Sequence, residues 1–250
     1  KNEVGYYEQS QSIVKLLLTV VTSLGTVMLP RIASQFANGK KEQIKNNIMN
    51  SFNFVFFLSI PMCFGIIAVA KDFVPWYLGA GFEKSIKIIY VISPIIVLIS
   101  LSNVIGIQYL LPTKRQKQYT VSVVMGAVCN LILNFIFIFK FKSVGAAIAT
   151  TMAEVVVTSM QCYSIRKEFE LKEIFKKSFK YIISSIIMFI IIFLTNKILL
   201  NSFDLKIRMI LNIFLGIIVY LFILVVIKDD FVLKCAKRII NKTKNDNGEK

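Results

Sequence analysis

The sequence contains no histidine, a single tryptophan, four cysteines and only 14 acidic residues among 250. Each scarcity removes a class of function. Without histidine there is no imidazole to serve as the base of a membrane enzyme or to ligate haem or zinc. Cys63, Cys129, Cys162 and Cys235 are far apart, and no two have metal-ligand spacing, so they read as small apolar packing residues. No carboxylate pair has metal-binding spacing, and no nucleophile stands beside a base. No loop between apolar blocks is long enough to hold a soluble catalytic domain. The chain is therefore expected to be no enzyme and to need no metal and no cofactor.

What is abundant is hydrocarbon. Hydrophobic residues make up 56% of the chain, above the 45–50% usual in soluble domains, and they come in continuous runs. Blocks of about 20 apolar residues, the length that crosses a hydrocarbon core of about 30 Å, recur along the sequence. Breakers divide them into seven predicted spans, at 7–29, 48–70, 86–111, 119–139, 144–163, 181–200 and 207–227. Pro30, Pro75 and Pro112 fall at or beyond span ends, whereas Pro61 and Pro94 fall inside spans and predict kinks. The fold class expected is all-α, a polytopic integral membrane protein.

The net charge of +16 would suit a nucleic-acid binder, but the basic residues sit in short connections between apolar blocks. In that setting they report orientation and contact with anionic lipid, and no nucleic-acid partner is expected. One set of connections carries Arg31, Lys40, Lys41 and Lys45, then Lys114, Arg115 and Lys117, then Arg166, Lys167, Lys172, Lys176, Lys177 and Lys180. The carboxyl tail adds Lys228, Lys234, Lys237, Arg238, Lys242, Lys244 and Lys250. The alternate connections hold fewer, namely Lys71, Lys84, Lys87, Lys140, Lys142, Lys197, Lys206 and Arg208. The positive-inside rule then predicts a cytoplasmic tail and an amino end outside. An odd number of spans beginning outside leads to the expectation of an upstream portion with its own odd number of spans. The polar segments 34–47 and 164–180 are expected to be short surface helices. The residues 241–250 are expected to form a solvated tail.

Polar groups are costly in lipid, so their helical spacing marks the faces that avoid it. In the first span Glu8, Ser12, Lys15, Thr19, Thr22, Ser23 and Thr26 recur at offsets of three and four. Lys15 lies about 12 Å inside the span at 1.5 Å per residue. It either lines a wet cavity, where it can meet a phosphate or carboxylate, or pairs with Glu8 or snorkels outward. The fifth span carries Thr150, Thr151, Glu154, Thr158 and Gln161. Glu154 is near mid-span, as a carboxylate coupling a proton or cation or as a buried structural group. In the fourth span Asn130 and Asn134 stand four apart, a spacing that also suits helix-to-helix hydrogen bonds. The last two spans are almost free of polar groups and should be peripheral, leaving the first five to enclose something. Hydroxyls and amides around one or two charges suit a large hydrophilic cargo such as sugar. The expected substrate-binding residues are Lys15, Glu8, Thr19, Thr22, Asn130, Asn134 and Thr151, with Glu154 the coupling-ion candidate.

Particular stretches carry a family resemblance. GYYEQSQSI at 5–13, followed by a Thr-rich span ending in MLPR at 28–31, resembles the start of the carboxyl half of polysaccharide flippases. WYLGAGFEKS at 76–85, YLLPTKRQKQY at 109–119 and CNLILNFIFIFKFKSVGAAIATTMAE at 129–154 extend the likeness over roughly 5–166. These flippases, of the O-antigen and capsule type, belong to the multidrug/oligosaccharidyl-lipid/polysaccharide exporter superfamily. The resemblance implies fourteen spans in two six-helix lobes plus two peripheral helices, of which this chain would hold the second half. It would divide into a transport lobe at 1–166, a lipid-facing pair at 167–228 and a cytoplasmic tail at 229–250. The implied cargo is an undecaprenyl-pyrophosphate-linked oligosaccharide, flipped across the bacterial plasma membrane by alternating access. Lipid-linked oligosaccharide, anionic membrane lipids and polysaccharide-synthesis machinery are the implied partners. A lipid II flippase has the same fold and cargo chemistry. A membrane polysaccharide polymerase or ligase would need a large outer loop with catalytic Arg or His.

Overall fold

A computed structural model describes residues 2–198 and 203–233. Within them the chain runs α1 (Asn2–Ala37), α2 (Lys41–Leu78), α3 (Glu83–Ile92), α4 (Ile95–Ser102), a π-helix (Asn103–Leu110), α5 (Gln116–Ile165), α6 (Leu171–Ile198) and α7 (Leu205–Val226). Among the described residues six helical stretches are long and apolar enough to cross a membrane. The longest, α5, is two helices folded back on each other at Lys142, whose backbone (φ 51, ψ −127) leaves the helical region. Its arms, 116–141 and 143–165, match the separate fourth and fifth spans expected from the sequence. The chain is an all-α polytopic membrane protein.

Prolines act differently by position. Pro94 separates α3 from α4, with Ser93 closing the end of α3 onto Ile89 and Val97 bonding back to Pro94. Pro30, Pro61 and Pro75 instead lie inside continuous helices. Beyond α4 the ladder widens to the π pattern, as in the bond from Leu111 N–H to Gly106 O, five residues back. Gly79 and Gly81 adopt positive φ in the turn after α2, a conformation that glycine takes without steric cost.

The separate surface helices expected at 34–47 and 164–180 do not form. The first segment is the last turn of α1, a tight turn at Gly39 and the first turns of α2. The second is the end of α5, a short turn and the first turns of α6. The physical reason is cooperativity: extending an existing helix adds one bond per residue, whereas a new one needs a costly nucleus.

Two apolar clusters hold the helices together. One joins α2 to α6 and α7 and to the basic end of α1, through Ile48, Phe52, Phe56, Tyr181, Met188 and Leu224. The other, through Ile13, Val14, Ile66, Val74, Ile88 and Ala147, binds α1, α2, α3 and the second arm of α5 near the opposite end. Helices α6 and α7 pack on α2 and on each other. Two ion pairs fasten them. Asp72 of α2 is buried against Arg208 of α7, with Arg208 Nε 3.1 Å from Asp72 Oδ2. Lys180 of α6 pairs with buried Asp229 just beyond α7. The tail beyond residue 233, with Cys235 and the basic residues from Lys234 on, lies outside the described residues.

Candidate functional site

Helix α1 presents three different faces, and the site follows from them. Val14, Val21 and Ile32 are buried against the rest of the lobe. Glu8, Ser12, Lys15, Thr19, Ser23 and Thr26 are exposed on the open side, and Thr22 is half-buried beside them. Ile13, Leu16 and Leu17 instead border an apolar groove of about 670 Å³. Its other walls include Met62 and Trp76 of α2, Ile192 of α6 and Ile217 of α7. At 3.6 residues per turn, the mean directions of the polar stripe and the groove-lining residues differ by roughly 120° around the α1 axis. One helix thus separates a polar open surface from an apolar groove.

On its other flank α1 meets the second arm of α5. The Tyr7 hydroxyl lies 2.8 Å from Thr150 Oγ1, and Gln11 Nε2 donates to the Tyr7 oxygen at 3.2 Å. Lys15 follows Gln11 by one turn, and Glu154 follows Thr150 by one turn, so both charges stand one turn deeper than this contact. They do not pair with each other, nor does Lys15 pair with Glu8. Among the described residues the ion pairs are Lys84–Glu3, Arg115–Glu168, Lys180–Asp229 and Arg208–Asp72. The Glu8–Lys15 pairing weighed from the sequence is therefore absent. Lys15 and half-buried Glu154 are left available to a ligand.

The hydroxyl stripe of the second α5 arm splits between structure and site. Thr151 donates to Val91 O at 2.9 Å and Thr158 to Leu98 O at 3.0 Å, both spent on carbonyls near the Pro94 break. Thr151, expected at the cargo surface, is thus committed to the α3 contact. Its spacing matched the stripe, but a carbonyl offered by a neighbouring helix is invisible to periodicity. Gln161 donates to Ser122 at 3.1 Å and ties the α5 arms together. Thr19 and Thr22 donate to their own helix, at Lys15 O (2.9 Å) and Leu18 O (3.0 Å), which leaves their oxygens free to accept. Asn134 Nδ2 donates to Asn130 Oδ1 at 2.8 Å, within one helix rather than between helices. The close approach of Gly126 to Val157, and of Gly145 to Phe137, sets the antiparallel register of the arms. That register puts Asn130 level with Ala153, next to Glu154, and Asn134 level with Ala149, next to Thr150. Tyr7 and Gln11 are not among the site residues expected from the sequence; their spacing of four is the signal that could have found them.

At the end of the lobe away from the basic turns, before the apolar part of α1 begins, Glu3 joins three elements. Its carboxylate accepts from Lys84 Nζ at 2.6 Å and from Ser143 Oγ at 2.5 Å. These two partners hold the Glu3 carboxyl down at about 2. At the basic end, Arg115 lies 2.6 Å from Glu168, which also accepts from Tyr109. No cluster of His, Cys, Asp or Glu among the described residues could hold a metal ion. The described cysteines are unpaired, with Cys63 buried. What the arrangement offers is therefore recognition: among the described residues, a polar face with the unpaired cation Lys15 and the unpaired carboxyls Glu8 and Glu154, backed by an apolar groove.

Comparison with known proteins agrees with this architecture. The chain is 28% identical over 165 residues to a putative O-antigen transporter from Escherichia coli, covering 65% of this chain and 39% of that protein. It is 25% identical over 221 residues to a probable low-salt glycan biosynthesis flippase from Haloferax volcanii, covering 88% and 46%. A lipid II flippase from Bacillus subtilis matches at 28% over 145 residues, covering 57% and 26%. The chain thus spans less than half the length of these relatives. Its fold matches a solved lipid II flippase in an inward closed conformation with a TM-score of 0.79 and 21% identity, over 93% of this chain and 48% of that one. The relatives are described as transporters and flippases, not as catalysts. The family model described as "Lipid II flippase MurJ" matches residues 1–215, and the chain belongs to that family.

Proposed function

We propose that the chain forms the carboxyl-side transport lobe (1–166) and peripheral helix pair (167–228) of a flippase. The cargo is an undecaprenyl-pyrophosphate-linked oligosaccharide, moved across a bacterial plasma membrane by alternating access. The observation that carries this reading is the two-sided α1. A lipid-linked sugar is one molecule with a charged, hydroxyl-rich head and a long hydrocarbon tail. The polar stripe suits the head and the groove suits the tail. Lys15 supplies the positive charge for the pyrophosphate. Glu8, Thr19, Thr22, Asn130 and Asn134 offer hydrogen-bonding groups to the sugars, and Thr151 acts by holding α5 to α3. Glu154 is the coupling-ion candidate. The basic end faces the cytoplasm, where the lipid-linked precursor and its synthesis machinery are found.

The test is complementation. The full-length gene is expressed in a strain lacking its own polysaccharide flippase, and surface polysaccharide is measured beside the amount of protein in the membrane. Lys15→Ala and Glu154→Gln should each abolish surface polysaccharide at unchanged membrane level. Full export by both variants refutes the assignments. A second reading, lipid II as cargo, is favoured by the family model's own description. It predicts rescue of a strain depleted of its lipid II flippase, which a dedicated polysaccharide flippase does not give.

A further inference from the structure

Helix α6 is 28 residues long, about 42 Å at 1.5 Å per residue, and so exceeds the roughly 30 Å hydrocarbon core. Its continuous apolar stretch begins at Tyr181, which leaves residues 171–180 at the membrane boundary. This boundary segment has an uncommon surface. Ile174, Ser178 and Tyr181 are buried against the lobe. On the outward side two stripes run side by side: Lys172 and Lys176 one turn apart, and Phe175 and Phe179 one turn apart. Both lysines are exposed. Phe179 is 61% exposed, and Phe175 is 46% exposed although its ring also meets Phe56 of α2.

Among the described residues neither lysine is in an ion pair, although Glu173 stands exposed between them in sequence. The nearby carboxylates that are paired are engaged elsewhere, Glu168 by Arg115 and Asp229 by Lys180. Lys176 lies five residues, about 7.5 Å, beyond the start of the apolar stretch. The headgroup layer is about 5–7.5 Å thick on each side of the hydrocarbon core. An ammonium there is at phosphate depth. Phe179, only two residues from Tyr181, is at the upper end of the acyl chains. Exposed rings beside unpaired ammoniums fit neither a solvated helix nor a purely hydrocarbon-facing one. They fit a molecule that is anionic at one end and apolar at the other.

We propose that residues 172–179 of α6 are a seat for an anionic phospholipid. Its phosphate lies against Lys176, with Lys172 one turn further out adding to the attraction, and an acyl chain begins beside Phe179. This seat is separate from the α1 groove and does not depend on the cargo proposed above. Its place on the connection between the lobe and the peripheral helices lets a bound lipid brace that joint.

The test uses the purified full-length protein and counts co-bound lipid by native mass spectrometry, with phosphatidylglycerol and phosphatidylcholine as probes. Phosphatidylglycerol should bind preferentially. Lys172→Gln with Lys176→Gln should weaken its retention about 30-fold, since each basic residue near an anionic surface contributes about 1 kcal/mol. Phe179→Ala should weaken long-chain phosphatidylglycerol but not the dihexanoyl form. Lys40→Gln with Lys41→Gln, on a different basic turn, should leave retention unchanged. Equal retention of the two lipids, or an equal loss in the Lys40/Lys41 variant, overturns the proposal. So does displacement by millimolar inorganic phosphate, which would mark a soluble phosphate site instead. If the lysine variant is not monodisperse, the wild type decides: phosphatidylglycerol retention must fall steeply between 0.1 and 1 M salt, and salt-independent retention overturns the proposal.

Discussion

Replacing Gly126 with alanine tests the close packing that sets the depth of the site residues on α5. A Cβ placed on Gly126 falls 2.2 Å from Val157 Cγ2 and 3.4 Å from Ala153 O. Carbon atoms in contact prefer about 3.5–4.0 Å, so the new methyl needs well over 1 Å of relief. Val157 offers little of it, because a β-branched side chain in a helix has one strongly preferred rotamer. The arms must therefore move apart, and overpacking of this kind costs about 1–3 kcal/mol. Val157 is itself 8% exposed, so Val157→Ala alone should cost about 1–2 kcal/mol through lost packing. The two changes should not add. With Val157 shortened, the offending methyl is gone, and Gly126→Ala should then cost less than about 0.5 kcal/mol. The assay is a double-mutant cycle on the apparent melting temperature of the purified protein in nanodiscs. A coupling of about 1–2 kcal/mol is expected, corresponding to several degrees in a chain of this size. Additive losses, or a Gly126→Ala variant as stable as wild type, would refute the tight crossing of the α5 arms.

Gly25 is a contrasting case. A Cβ there would meet Asn103 Oδ1 at 2.6 Å, but that atom ends a flexible side chain. Gly25→Ala should therefore cost only about the net worth of the displaced Asn103–Gln108 hydrogen bond, roughly 0.5–1.5 kcal/mol, by the same melting assay. Arg208→Gln leaves Asp72 buried without its cation and should destabilise the protein by about 3–5 kcal/mol. Adding Asp72→Asn should restore much of that loss, and a double variant no better than the single one argues against the pair. The Glu3 clamp predicts a pH dependence. Its carboxyl is depressed from 4.5 to about 2, so its contribution is complete above about pH 4.5 and lost as pH falls through about 2. Melting temperature measured from pH 5 to pH 2.5 should fall less steeply in Glu3→Gln than in wild type, and parallel curves would remove the clamp's role.

The membrane fold was legible in the sequence because lipid imposes a simple requirement. Every crossing must be a continuous apolar helix with its backbone bonds satisfied internally, and such runs are visible one residue type at a time. The α5 turn shows the rule at work. It continues as helix on both sides of Lys142, yet the charged Lys140 and Lys142 already marked the reversal. The stripe on α1 was equally legible, since an exposed Lys15 and hydroxyls four apart lie on one helix, and helical spacing alone puts them together. Thr151 and Thr158 were not separable from site residues by spacing. What sorted them was the carbonyls of Val91 on α3 and Leu98 on α4, to which they donate.

The sequence by itself thus determined the class, the number of crossings and which face of α1 is polar, because each depends on periodicity within one helix. Tertiary structure decided the rest. It brought Tyr7 to Thr150 across 143 residues, left Lys15 and Glu154 without partners, and opened an apolar groove between α1, α2, α6 and α7. Those features depend on where one helix lies against another. That position is set by the packing of small residues such as Gly25 and Gly126 and by buried pairs such as Asp72–Arg208, whose members lie far apart along the chain.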